Sequence, residues 1–158
     1  MNAKMAELKR CFESAGFTDV KTVLASGNVV FNSASKSLSD MERKAEKAMS
    51  KNLGRTFYTI VRPVGALKKF IQADPYTAFA LPANAKRIVT FLRKPCKTAV
   101  SLPIELDGAR ILAVRGCEIF TAYVPSPRGP VFMTLIAKTF GSDATTRTWD
   151  TVKKCAKA

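Results

Sequence analysis

Apolar residues recur along this chain with two periods, and the switches between them mark out the elements. Met5, Leu8, Phe12 and Ala15 fall three or four apart, with Asn2 to cap and Gly16 to stop, so the spacing predicts a helix over 3–15. Val20, Val23 and Leu24 then lead through Ala25-Ser26-Gly27-Asn28 into Val29-Val30-Phe31, two β-rich runs around a Ser-Gly turn, which predicts a hairpin. Ser39 and Glu42 have the spacing of a capping box at the head of a second helix, whose apolar face is Met41, Ala45, Ala48 and Met49 and which Gly54 ends. Phe57 to Val61 has the composition of a strand, and Pro63 opens a short helix carrying Val64, Leu67, Phe70 and Ile71. The first half thus has the order α-β-β-α-β-α.

A loop with Pro75 and Pro82 follows, the best boundary between halves. Arg87 to Leu92 is a strand, and the ambiguous stretch 97–107 is read as one short helix. Ile111 to Val114, the turn Arg115-Gly116, and Cys117 to Tyr123 make a second hairpin, with Pro125 and Pro127 punctuating its exit. Phe132, Leu135, Ile136, Thr139 and Phe140 mark a helix ending at Gly141, and Thr148 caps a last one that turns Trp149, Val152 and Cys155 inward. The order is βαββαβ, the split unit of ferredoxin-like folds, plus a terminal helix. The first half is the same unit without its opening strand. The expectation is an α+β protein of two ferredoxin-like units side by side, residues 1–80 and 81–158, the first incomplete.

Composition narrows the chemistry. With 47% hydrophobic and 24% charged residues, the 158-residue chain can fold around a core without metal or disulfide. It has no His, which removes His-based acid/base chemistry, Ser-His-Asp triads and His metal sites. Cys11, Cys96, Cys117 and Cys155 contain no C-x-x-C pair, so no metal site is expected, and no sequence feature calls for a cofactor. Scattered thiols, no leader-like start and no apolar run of about 18 residues point to a cytoplasmic protein without a membrane partner. The 26 basic and 12 acidic residues give a net charge of +14, shared by both halves. Such a field attracts anions, among them nucleic acid and phosphorylated metabolites, although a high charge can also serve solubility alone.

At two places the residues themselves resemble a known family. The stretch from Met5-Ala6-Glu7-Leu8 through Gly16-Phe17-Thr18-Asp19-Val20, followed by Ser26-Gly27-Asn28-Val29-Val30-Phe31, resembles the bacterial family of domain of unknown function sixteen ninety-seven. The tail Ala144-Thr145-Thr146-Arg147-Thr148-Trp149-Asp150-Thr151-Val152 is similar to that family's closing motif, T-x-R-N-W-x-T-V. The resemblance implies paired ferredoxin-like units and no settled activity. It also shows two departures: Thr148 stands where the family has Asn, and the strand and glycine turn that usually precede the first helix are missing. Their absence implies either a true start upstream of Met1 or an exposed sheet edge prone to self-association, because a central strand's neighbours would otherwise keep unpaired backbone groups.

Candidate site residues follow from side-chain chemistry. Ser26, Gly27 and Asn28 can present a hydroxyl, a closely approached backbone and an amide to an anion, or can simply form a hairpin turn. Arg147 offers a planar fork for phosphate or carboxylate, and Trp149 a stacking surface beside a helix N-terminus; the alternative is that Trp149 anchors the helix while Arg147 pairs with Asp143 or Asp150. Lys68-Lys69, Lys86-Arg87, Arg93-Lys94 and Lys153-Lys154 are basic doublets on which a phosphate track could run. Glu105 and Asp107 are spaced to share a strand face but lack a third partner. The expected function is a binding module for an anionic ligand, nucleic acid included. The alternative is a small enzyme on a phosphorylated or carboxylated metabolite, with no base yet named.

Overall fold

The computed structural model describes residues 3–95, 104–106, 108–125, 131–141 and 143–158. It divides into two compact units, Met1–Lys68 together with Lys153–Ala158, and Lys69–Val152.

The first unit begins with the expected helix, α1 (Met5–Ser14), which buries Leu8, Cys11 and Phe12. Strands β1 (Thr18–Val23) and β2 (Asn28–Asn32) form the hairpin, antiparallel, with Lys21 opposite Val30 and Thr22 opposite Val29. A register shift between Thr18 and Lys21 puts one extra residue into β1. Asp19 there takes a positive φ of 50°, and its carboxylate accepts from the Asn32 amide at 2.7 Å. Helix α2 (Leu38–Leu53) closes over the core with Met41, Ala45, Ala48 and Met49. Phe12, Phe17 and Phe31 stack at the centre, with ring centroids 4.3–5.6 Å apart.

Two expectations fail in this unit, and one residue accounts for both. The cap of α2 is Ser37, whose hydroxyl accepts from the Asp40 amide at 3.3 Å, and not the Ser39/Glu42 box. Glu42 instead points inward, only 7% exposed, and accepts the backbone N–H of Val61 at 2.9 Å. Residues 57–61 in turn form no strand, because strand-forming composition yields a ladder only where a neighbouring strand offers its own backbone. Among the described residues this unit's sheet has two strands, β1 and β2. Phe57 and Val61 still pack on the core.

Helix α3 (Val64–Ala73) starts directly after Pro63, whose carbonyl receives the Ala66 and Leu67 amides. The second unit is built on a five-stranded antiparallel sheet of β3 (Lys86–Leu92), β4 (Ile104–Leu106), β5 (Ala109–Arg115), β6 (Glu118–Tyr123) and β7 (Ala144–Thr148), in the order β4-β5-β6-β3-β7. Since β3 and β5 both run antiparallel to β6 between them, they are parallel to each other, the arrangement that a split βαβ unit requires. Strand β4 occupies part of the stretch read as a short helix, and the rest of that stretch, 97–103 and 107, lies outside the described residues. Helix α4 (Val131–Phe140) lays Leu135 and Ile136 on Ile88, Leu92, Ala109, Ile111 and Ile119.

The other side of β3 and β6 carries an aromatic cluster. Phe70, Tyr76 and Trp149 surround Phe120 at centroid distances of 5.7, 5.9 and 6.3 Å. This packing is why residues 69–80, grouped by sequence with the first half, cluster with the second unit. The terminal helix α5 (Trp149–Lys157) is capped by Thr148, whose hydroxyl accepts from the Thr151 amide at 3.2 Å; its last residues, from Lys153, belong to the first unit. Among the described residues no helix is long and apolar enough to cross a membrane.

Candidate functional site

The sequence-based candidates fall into different units, Ser26, Gly27 and Asn28 in the first, Arg147 and Trp149 in the second. Within the β1–β2 turn Gly27 has a φ of 89°, which a side chain would strain. The Asn28 amide nitrogen donates to the Val23 carbonyl at 2.9 Å and to the Ser26 hydroxyl at 2.8 Å. Both amide protons are therefore directed into the hairpin itself, and the turn chemistry closes on its own backbone.

Arg147 lies on β7 opposite Val89, half-buried, with one guanidinium nitrogen donating to the Thr146 carbonyl at 2.7 Å. Trp149, two residues on, is 4% exposed and meets Tyr76 edge-on at 5.1 Å. An indole so enclosed stacks on protein and not on a base or ring from solution; its proximity to Arg147 in sequence does not become a joint binding surface. The aromatic cluster also covers the sheet face that an exposed stacking platform would need.

Other reactive groups are tied down in the same way. The Tyr76 hydroxyl donates to the Ile88 carbonyl at 2.7 Å, and burial pushes its pKa far above the ordinary phenol value, against the pull of Arg87. Burial, with Glu7 nearby, likewise raises the Cys11 thiol, which sits in the core of the first unit. Neither group can supply a base or nucleophile at neutral pH. Glu105 meets Arg110 across β4 and β5, Oε1 to Nε 2.7 Å, so this carboxylate serves a cross-strand ion pair; Asp107 lies outside the described residues. Among the described residues no group of three or more acidic or cysteine side chains is gathered to hold a metal.

Basic side chains are distributed differently from the doublets that stand out in sequence. Lys86-Arg87 and Arg93-Lys94 flank the two ends of β3, more than about 15 Å apart along an extended strand, too far to act as one contact. Helix α2 carries a denser array that a search for adjacent pairs misses. Lys44, Lys47 and Lys51, at i, i+3 and i+7, are all exposed on one helical face, while Arg43 pairs with Asp40 a turn away. The signal that could have found it is the helical periodicity already used for the apolar face of the same segment.

A basic α+β protein of two units, one on a two-stranded and one on a five-stranded sheet, is the class these observations define. The chain belongs to the family described as protein of unknown function (DUF1697), whose profile matches residues 1–120. The match takes in the motifs of the first helix and hairpin, whereas the Arg147–Trp149 motif lies beyond it. The fold is similar to that of the conserved bacterial protein SP0830 from Streptococcus pneumoniae, with a TM-score of 0.66 and 16% identity over 99% of this chain and 88% of that one. No curated protein matches the chain.

Proposed function

We propose that the protein is a binding module for anionic ligands, and that nucleic acid, as a polyanion, is the ligand its charge suits best. The observation that carries this reading is the +14 net charge combined with the exposed Lys44, Lys47 and Lys51 stripe of α2. Three lysines along about 10 Å of helix match a run of phosphates without selecting a base sequence. The Ser26-Gly27-Asn28 turn and Arg147 are proposed as secondary contacts, and Trp149 as the packing that holds the start of α5.

The test is the binding of a mixed-sequence single-stranded oligonucleotide, followed by fluorescence anisotropy at about 50 mM and about 200 mM salt. Affinity is expected to fall steeply between the two, because each phosphate contact releases a counterion. The combined variant Lys44→Glu, Lys47→Glu, Lys51→Glu is expected to weaken binding by at least about tenfold at the lower salt, with its far-ultraviolet dichroism unchanged. Absence of binding at about 50 mM salt overturns the proposal.

A further inference from the structure

We propose that the outer edge of β2 is a self-association site, at which β2 pairs antiparallel with β2 of a second copy of this chain, centred on Val30. In the described structure β1 lies along one edge of β2, and no strand lies along the other. Strand edges of this kind are usually blunted by a charge, a proline or a bulge. Strand β2, Asn28-Val29-Val30-Phe31-Asn32, has no charged residue and no proline, and the extra residue of the hairpin sits in β1, leaving β2 regular.

The occupant follows from symmetry. Turned about Val30, the strand matches itself: Asn28 meets Asn32 of the other copy, Val29 meets Phe31, and Val30 meets Val30, so no like charges oppose one another. An acidic peptide, which the net charge would otherwise favour, finds no cation on this strand to engage. Val29 and Phe31 pack on the core of their own unit and hold the strand in place before it meets a partner, which lowers the cost of association. The product is a four-stranded sheet, β1-β2-β2-β1, in place of a two-stranded ribbon that is marginal alone. Because each copy carries +14, association is expected to strengthen with salt, the reverse of polyanion binding, so the two proposals fail independently.

Sedimentation equilibrium of the 158-residue chain, from micromolar to submillimolar protein at low and high salt, measures the association. A dimer favoured by salt is expected. Val30→Glu places its carboxylate opposite Lys21 within the hairpin but opposite its own copy in the dimer, and is expected to weaken dimerisation about tenfold; Val30→Thr is expected to retain it. A Val30→Cys variant under mild oxidation gives a readout independent of stability, with an intermolecular disulfide mapped to position 30 in both chains. A chain that stays monomeric throughout, a dimer untouched by Val30→Glu in a folded variant, or cross-links confined to the native cysteines overturns the proposal.

Discussion

Tyr76 shows how much a single buried hydroxyl fixes. The Ile88 carbonyl receives it at 2.7 Å and receives the Thr121 hydroxyl at 3.2 Å, so one backbone oxygen of β3 ties two side chains into the core. Removing the phenol oxygen in Tyr76→Phe leaves the Thr121 bond in place, and the expected cost at neutral pH is about 1 kcal/mol. The raised pKa has a defined sign. The folded state holds the proton more tightly than the unfolded chain, so the stabilisation is complete below the ordinary phenol pKa of about 10 and is lost as pH climbs above it. Thermal melting between pH 8 and 11 should therefore fall more gently in Tyr76→Phe than in the wild type, and parallel curves would refute this role for the phenol. Tyr76 also explains why Trp149 was ambiguous in sequence. An indole beside an arginine suits a stacking site and a core anchor equally, and the neighbours that decide, Tyr76 and Phe120, are far away along the chain.

At the scale of elements, helices were the legible part because their evidence is local. The apolar spacing of 5–15, 38–53, 64–73 and 131–140 lies within each segment, and the caps shift only the ends. Strands depend on partners. Residues 57–61 have strand composition and no ladder, while Ile104–Leu106 is a strand too short to show any period. Glu42 replaces the missing ladder for Val61 with a buried carboxylate, a role invisible to a motif search that saw only its spacing from Ser39. The substitution Glu42→Ala should orphan that amide, cost about 1–3 kcal/mol and accelerate hydrogen exchange at Val61 before the rest of the unit. Unchanged protection at Val61 would show that the contact contributes nothing. The Lys44, Lys47 and Lys51 stripe was equally present in the sequence, on the polar side of a helix read only for its apolar side.

For the molecule as a whole, the charge balance was readable from the first count, but what it acts upon was not. A net charge of +14 repels itself in the compact state, and screening relieves this over about 10 Å at 0.1 M salt. The melting temperature is therefore expected to rise between about 20 mM and 200 mM sodium chloride without any ligand, and calorimetry showing a flat or falling trend would contradict a repulsive charge field. The division of the chain was only partly legible, since proline-rich loops mark flexible stretches and not the point where cores separate. In the structure Lys153–Ala158 joins the first unit, with Ala156 buried, after the chain has run through all of the second. On the ribosome the earlier-made unit must therefore wait, with its wall open, while the later one emerges and is free to fold. Order of synthesis and order of completion are thus reversed in this protein.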